Sequence, residues 1–153
     1  MSRVQLALNV ANLDEAIGFY SRLFDVEPAK VRPGYANFAI DEPALKLVLI
    51  EGGGEPGSIN HLGVEVASSD EVSAAAGRLA ASGMTTELEE QTTCCFAVQD
   101  KVWVDGPDGA RWEVYTVLAD AEGPDALGGD ERCCTAEQTH DPVAVAVGRS
   151  GCC

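Results

Sequence analysis

The six cysteines of this chain occur only as adjacent pairs, Cys94-Cys95, Cys133-Cys134 and Cys152-Cys153. Two neighbouring thiols do not readily form a disulfide with each other, because the small ring strains the peptide between them. Both can, however, bind one soft atom, since thiolate sulfur is a soft ligand and trivalent arsenic is bound by sulfurs in pairs or threes. The pairs therefore predict a thiophilic substrate in addition to any metal cofactor.

The chain has 153 residues and a formal charge of −15, which fits one domain or two small modules. This charge argues against nucleic acid and anionic membranes as partners, because both would repel an acidic surface. No run approaches the ~18 apolar residues that span a bilayer, and the first residues lack the pattern of a signal peptide. We therefore expect a cytoplasmic protein whose thiols stay reduced and are suited to metal or metalloid binding.

An internal repeat relates residues 4–23 to residues 60–79 without a gap. The shift between the copies is 56 positions, so that Leu6 aligns with Leu62. Self-similarity of this kind indicates two copies of one supersecondary unit. Each copy begins with the alternating apolar residues of a strand and continues with apolar residues at helical spacing.

Three further strands follow the helix in each copy, separated by turns rich in glycine, proline and aspartate. We predict them at about 27–32, 35–40 and 45–51 in the first copy, and at about 85–91, 96–104 and 110–118 in the second. Each copy is therefore a βαβββ module, and the fold class is α+β.

The predicted domain covers residues 1–118, with modules at about 1–53 and 58–118. Residues 119–153 contain no aromatic residue and are rich in Gly, Asp and Glu, which predicts a flexible acidic tail. The tail carries Cys133-Cys134 and Cys152-Cys153, which either pass metalloid to the domain or have no special role. His140 in the tail is either inert or part of a tail metal site.

Strand alternation selects three side chains that could hold a metal. Gln5 and the equivalent residue His61 both point away from the face that packs under the helices, and Glu113 lies between Trp112 and Val114 in the last strand. The three side chains converge if the two sheets curl towards each other. An imidazole, a carboxylate and an amide oxygen suit Fe(II), Mn(II), Ni(II) or Co(II), with positions left for water and substrate.

The repeat, together with Gln5, His61 and Glu113, resembles the vicinal oxygen chelate superfamily, which includes glyoxalase I, extradiol dioxygenases and bleomycin-resistance proteins. The segment LDEAIGFYSRLF at 13–24 resembles the first-helix signature of that superfamily. The resemblance covers residues 3–116. It implies that the two modules form one curled, mixed-sheet cavity.

Within the superfamily, the TTCCF segment at 92–96 and the cysteine-paired tail resemble the carbon–arsenic lyases (the ArsI family), and more distantly the cadmium-induced proteins. The implied activity is an Fe(II)-dependent dioxygenase that uses O2 as co-substrate. It would cleave the carbon–arsenic bond of trivalent organoarsenicals, such as methylarsonous acid or aromatic arsenicals, and release arsenite. Ni(II), Co(II) or Mn(II) could take the place of iron.

Carried over by position, Gln5, His61 and Glu113 match the metal ligands, and Cys94-Cys95 match the substrate thiols; no other catalytic residue is implied. One departure is Gln5, where the superfamily often has histidine. We expect modest metal affinity, since an amide is a weaker ligand than imidazole. The corresponding position in the last strand of the first module holds an apolar residue near Leu47, so one metal site is expected.

The polar segment 89–93 before the pair predicts a mobile arm that carries substrate inwards. Two other classes of function remain open. A glyoxalase-like isomerase would need a second carboxylate from the first module, and a thiol-based sequestration protein for cadmium or arsenic would need the cysteines but not O2. Cys94-Cys95 could also be buried small apolar residues. The sequence leaves open whether the modules pair within one chain or across a homodimer.

Overall fold

The computed structural model describes residues 2–122 and contains two βαβββ modules in succession. The first module consists of β1 (Arg3–Val10), α1 (Leu13–Phe24), β2 (Lys30–Arg32), β3 (Tyr35–Ile40) and β4 (Leu45–Glu51). The second consists of β5 (Ile59–Glu65), α2 (Ser69–Ala81), β6 (Thr86–Cys94), β7 (Ala97–Asp105) and β8 (Arg111–Asp120). The predicted α+β class is confirmed. The predicted tail lies outside the described residues from position 123 onwards, together with its cysteines and His140.

Both helices begin at side-chain caps. Asn12 Oδ1 accepts a hydrogen bond from the backbone N–H of Glu15 at 2.9 Å, and Ser68 Oγ accepts one from Glu71 at 3.3 Å. Such caps each stabilise a helix by about 1 kcal/mol. α2 ends two residues before Gly83, which has the left-handed φ of 83° that glycine tolerates. No helix among residues 2–122 is long and apolar enough to cross a bilayer.

All eight strands form one curled sheet, in the order β2-β3-β4-β1-β5-β8-β7-β6. β1 is parallel to β4, β5 is parallel to β8, and the antiparallel pair β1–β5 joins the two modules. The modules therefore pair within one chain. The sheet curls into a half-barrel whose helices cover one face and whose other face is concave.

The register of β1 on β5 agrees with the sequence repeat. Leu6 lies opposite Leu62, and these are the two residues that the repeat aligns. Gln5 and His61 each precede this central pair by one residue. Because the strands are antiparallel, an approximate two-fold axis passes between the two leucines and exchanges Gln5 with His61.

The apolar residues form one cluster under each helix and a third on the concave face. Leu13 of α1 packs with Phe38 and Leu47, and Val72 of α2 packs with Val102. The third cluster, here called the cysteine cluster, consists of Ala7, Tyr35, Val48, Ile50, Cys94, Cys95 and Phe96. The end of the β6–β7 hairpin therefore packs against the sheet of the first module.

The predicted mobile arm at 89–93 belongs instead to β6, which pairs with β7 up to Cys94 opposite Ala97. A register irregularity between Glu89 and Thr92 interrupts the ladder. The strand predicted at about 85–91 is therefore present, but it continues to Cys94. This continuation was missed because β6 lies at the edge of the sheet and most of its side chains are not buried, so its sequence lacks apolar alternation. β8 also continues past the predicted strand, to Asp120.

Candidate metal centre and cysteine pair

The side chains of Gln5 on β1, His61 on β5 and Glu113 on β8 meet on the concave face. Gln5 Nε2 lies 3.0 Å from His61 Nε2 and donates to Glu113 Oε1 at 2.7 Å. His61 Nε2 is 3.5 Å from the same carboxylate oxygen. Their exposures are 4%, 3% and 2%. The convergence expected from strand alternation is therefore present, while metal binding by the three stays a prediction.

The amide of Gln5 now lies between the two atoms that could bind a metal. Its nitrogen faces both His61 Nε2 and Glu113 Oε1, and its oxygen accepts a hydrogen bond from the hydroxyl of Tyr115. Rotation of the amide would turn its oxygen towards the other two groups. The Tyr115 hydroxyl could then accept from the amide nitrogen, because a hydroxyl both donates and accepts. The three groups fit a divalent first-row metal.

A metal at this position depends on the amide. Among residues 2–122, no three His, Cys, Asp or Glu side chains form a group that could hold a metal ion. His61 and Glu113 supply two such ligands, and Gln5 would complete the set as a neutral oxygen ligand. The affinity is therefore expected to be lower than with three ionisable ligands.

Glu113 is ionised in a fully buried position. Burial alone would raise the pKa of this carboxyl, but Lys101 beside it, together with His61 when the ring is protonated, lowers the pKa to about 2. Lys101 Nζ lies 3.3 Å from Glu113 Oε2 and 5.2 Å from the centre of the Trp103 ring. Despite this ion pair, Oε2 has no well-aligned hydrogen bond among the described residues. A charged, incompletely satisfied carboxylate is suited to binding a cation.

The ring of His61 is held by an asparagine pair behind it. Asn60 Nδ2 donates to Asn9 Oδ1 at 2.9 Å, which leaves Asn60 Oδ1 facing His61 Nδ1 at 2.8 Å. Nδ1 then carries the proton, and the lone pair of Nε2 faces Gln5. This is the tautomer that a metal-binding histidine needs. A Cβ at Gly54 would come within 2.7 Å of the Asn9 amide, so this network is closely packed.

Cys95 and Phe96 form the two-residue turn between β6 and β7. Their φ angles are 51° and 63°, so both residues are left-handed, as a type I′ turn requires. This conformation is uncommon for residues other than glycine, and such strain is often found at functional sites. The Phe96 ring packs 5.5 Å from the ring of Tyr35, which holds the turn against the first module.

The two sulfurs of the pair are 3.7 Å apart, and Cys94 and Cys95 are 3% and 8% exposed. Cys94 is disulfide-bonded in this structure, whereas Cys95 is a buried thiol. The expectation of two reduced thiols is therefore not met at Cys94. Any chemistry that uses both thiols requires the reduced form.

One small cavity connects the cysteine pair with the candidate metal centre. Cys95 lines it together with Gln5, His61 and Glu113. Its other walls are Tyr35, Lys46, Val48 and Gln99. The cavity is only about 10 Å³, which is room for roughly one water molecule. A larger ligand needs a shift of the cysteine turn.

Lys46 and Asn60 belong to this site but were not predicted from the sequence. Lys46 is 9% exposed, its Nζ is 3.5 Å from Glu65 Oε1 and 5.0 Å from the centre of the Tyr115 ring, and it lines the cavity. Lys46 could have been found from the sequence, because it is the single charged residue in the apolar run 45–50. For Asn60 there was no comparable signal, since its neighbour Asn9 is distant in sequence.

Comparison with known proteins agrees with this architecture. The family described as the Glyoxalase/Bleomycin resistance protein/Dioxygenase superfamily matches residues 3–114. The chain is 60% identical over 158 residues to the cadmium-induced protein CadI of Mycobacterium tuberculosis. The alignment covers 99% of this chain and 100% of the relative. The chain is 58% identical over 154 residues to a trivalent organoarsenical cleaving enzyme of Thermomonospora curvata, which covers 100% of both.

Solved structures share the fold at low sequence identity. An extradiol ring-cleaving dioxygenase from Brevibacterium fuscum has a TM-score of 0.56 at 18% identity, over 78% of this chain and 34% of that chain. An Mn(II)-bound glyoxalase from Novosphingobium aromaticivorans has a TM-score of 0.56 at 19% identity, over 86% of this chain and 44% of that chain. The resemblance inferred from the repeat and the first helix is confirmed: the chain belongs to the glyoxalase/bleomycin resistance protein/dioxygenase superfamily.

Proposed function

We propose that the chain is an Fe(II)-dependent dioxygenase that cleaves the carbon–arsenic bond of trivalent organoarsenicals, such as methylarsonous acid, and releases arsenite. One observation carries the proposal: Cys95 of the vicinal pair lines the same cavity as Gln5, His61 and Glu113. A thiophilic group and a metal-binding set thus face one space. The relative from Thermomonospora curvata, named a trivalent organoarsenical cleaving enzyme, supports this reading.

In the reduced protein, Cys94 and Cys95 would bind the substrate. Their thiols exchange with the two hydroxyls on arsenic, so that two As–S bonds form and two water molecules leave. The sulfurs are close enough, at 3.7 Å, for both to bind one atom. Arsenic keeps its third bond, which is the bond to carbon. Holding that bond beside the metal centre replaces a bimolecular encounter with a positioned one.

Iron held by Gln5, His61 and Glu113 would supply the activation of O2. The protein's own contribution is to orient and to exclude water. Asn60 keeps the Nε2 lone pair of His61 towards the site, and Lys101 balances the charge of Glu113. Gln5, His61 and Glu113 are buried, so bulk water is largely excluded from the site.

The overall reaction balances without an external reductant: CH3As(OH)2 + O2 → As(OH)3 + HCHO. One oxygen atom is transferred to carbon and one to arsenic. The methyl carbon is oxidised to an aldehyde, O2 is reduced, and arsenic leaves as arsenite. Pentavalent arsenicals are expected to fail, because they bind thiols poorly without prior reduction.

The test is arsenic speciation after mixing reduced, Fe(II)-loaded protein with methylarsonous acid, in air and without oxygen. We expect arsenite only in air, in excess over the protein. A Cys94→Ser, Cys95→Ser double variant should bind as much iron as the parent protein and produce no arsenite. Arsenite production by this variant would rule out the assigned role of the thiols.

A second candidate function is thiol-based sequestration of cadmium or arsenic. The 60% identity to a cadmium-induced protein favours it. Sequestration needs the cysteines but neither O2 nor the set of Gln5, His61 and Glu113. Stoichiometric binding of arsenic by the iron-loaded protein, with no arsenite in air, would favour this second function.

A further inference from the structure

Trp103 on β7 lies beside the two ionisable groups of the candidate metal centre, His61 and Glu113. Its ring centre is 5.6 Å from the centre of the His61 ring, and the two ring planes are nearly perpendicular, at 79°. In the β7–β8 ladder Trp103 is the residue opposite Glu113. Lys101, which pairs with Glu113, has its Nζ 5.2 Å from the centre of the same indole ring. One side chain therefore contacts the imidazole directly and the carboxylate through its lysine.

The indole ring is held by its neighbours and not by a hydrogen bond of its own. Trp103 is 2% exposed, and its Nε1 has no hydrogen-bond partner among residues 2–122. The guanidinium carbon of Arg111 lies 4.3 Å from the ring centre, which is a close cation–π contact. Arg111 is opposite Asp105, two residues after Trp103, whereas Lys101 is two residues before it. The two cations thus reach the ring from opposite directions along β7 and clamp it.

Arg111 is oriented in turn by carboxylates on β6 and β7. Its Nη2 lies 3.3 Å from Glu87 Oε2, and its Nε lies 3.7 Å from Asp105 Oδ1. These groups are partly exposed, so the ion pairs are screened by solvent and add little stability. Their effect is to hold the plane of the guanidinium against the indole. A continuous set of contacts therefore runs from partly exposed carboxylates through Arg111 and Trp103 to the metal centre.

We infer that Trp103 is a positioning residue, which fixes the imidazole of His61 and the ion pair of Glu113 in the orientations that a metal needs. The inference rests on the proposed function, in which these two groups bind iron. Asn60 sets which nitrogen of His61 carries the proton, but one hydrogen bond leaves the ring able to rock about it. A perpendicular aromatic neighbour removes that freedom, because such contacts have a preferred geometry and buried side chains relax little.

The first readout is the affinity for Co(II). Trp103→Leu should lower this affinity by about 3- to 10-fold, which is the usual worth of an aromatic contact. Trp103→Phe should bind Co(II) as the parent does, because it keeps an aromatic ring and the lost indole N–H makes no hydrogen bond among the described residues. Arg111→Met removes one side of the clamp and should fall between the two. Trp112→Leu is the matched control, since Trp112 precedes Glu113 on β8 and faces the other side of the sheet.

The second readout is the imidazole of His61 in the metal-free protein. Histidine is labelled with a nitrogen isotope, and the other histidine of the chain, His140, is replaced by glutamine. Long-range proton–nitrogen correlation spectra in alkaline buffer should show one tautomer in the parent, with narrow signals. Trp103→Leu and Arg111→Met should broaden these signals, because the ring gains slow motion, and Trp103→Phe should restore them. A role in stability alone would leave the spectrum of the folded variants unchanged.

The two readouts separate the possible failures. A parent protein that binds no Co(II) overturns the proposed metal centre alone, since the comparison of spectra still tests Trp103 without metal. Unchanged His61 signals in both Trp103→Leu and Arg111→Met overturn the positioning role, whatever the metal affinity. If Trp103→Leu does not fold, Arg111→Met decides the question by itself, because the Arg111 side chain is partly exposed and its loss spares the core.

Discussion

Gln5 and His61 occupy equivalent positions in the two modules, and their side-chain nitrogens lie 3.0 Å apart across the β1–β5 junction. The approximate two-fold axis brings each module's residue to the same point on the concave face. Glu113 joins them from β8 because β8 is parallel to β5. The candidate metal centre therefore exists only where the two modules meet, and neither module holds it alone.

The first prediction concerns the amide ligand. Gln5→Leu should weaken Co(II) binding strongly, because one of the three proposed ligands is lost, whereas Gln5→His should strengthen Co(II) binding, since imidazole is the better ligand for such metals. Titration with Co(II), followed by its visible absorption, gives both affinities. Gln99→Leu is the matched control, because Gln99 is 6% exposed and lines the same cavity but is not a proposed metal ligand. An equal loss in Gln99→Leu would contradict the assignment of Gln5.

The second prediction concerns the orientation of His61. Asn60→Ala removes the acceptor of the Nδ1 proton and should lower metal affinity by about 10- to 100-fold. Asn60→Asp keeps an acceptor for this proton and should recover most of the lost metal affinity. Asn12→Ala serves as the control, because it removes the cap of α1, costs about 1 kcal/mol of stability and leaves metal affinity unchanged. If Asn60→Ala binds Co(II) as the parent does, Asn60 does not position the ring.

The third prediction concerns the buried ion pair. Lys101→Met leaves the charge of Glu113 uncompensated and should destabilise the metal-free protein by about 3–5 kcal/mol at neutral pH. The double variant Lys101→Met, Glu113→Gln removes both charges and should recover much of that loss. Urea denaturation of the four proteins in the cycle measures the coupling. If the effects of the two substitutions on the free energy of unfolding are additive, Lys101 and Glu113 are not coupled.

The same pair predicts the sign of the pH dependence. In the parent, the pKa of Glu113 is lowered to about 2, so its contribution is complete above the unfolded value of about 4.3 and is lost as the pH falls towards 2. In Lys101→Met, burial dominates and raises the pKa of Glu113, so acidification relieves the destabilisation. The stability difference between parent and variant should therefore shrink as the pH falls. A difference that is constant with pH would contradict this account.

The three metal-binding candidates were predictable from the sequence, because each depends on a local pattern. Gln5, His61 and Glu113 are polar residues in strands whose neighbours are apolar, and the repeat relates the first two. The roles of Lys46 and Lys101 depend on which strands lie side by side and on the groups that face them. A single strand pattern does not contain that information.

Composition misled the prediction for the cysteine segment. Residues 89–93 are polar, which is typical of a loop, but the edge strand β6 needs no apolar alternation because much of it faces solvent. The close packing of Cys94, Cys95 and Phe96 against Tyr35 joins the two modules. This contact is far from local in sequence, so neither the burial of the pair nor the left-handed turn could be predicted.

The fourth prediction concerns access to the cysteine pair. Phe96→Ala removes the ring that packs on Tyr35 and should release the turn, so that Cys95 reacts faster with iodoacetamide in the reduced protein. Peptide mapping by mass spectrometry assigns the reaction to Cys95 among the six cysteines. Phe24→Ala removes an aromatic side chain under α1 and should leave Cys95 protected. Equal protection in Phe96→Ala would show that the ring does not hold the turn.

The most direct test of the central claim measures O2 uptake, arsenite and formaldehyde in one reaction of reduced, Fe(II)-loaded protein with methylarsonous acid. We expect equal amounts of all three, since one oxygen atom goes to carbon and one to arsenic. We also expect that His61→Ala, which removes a proposed metal ligand, forms none of them. Arsenite formed without O2 uptake, or undiminished turnover by His61→Ala, would contradict a metal-dependent dioxygenase at this site.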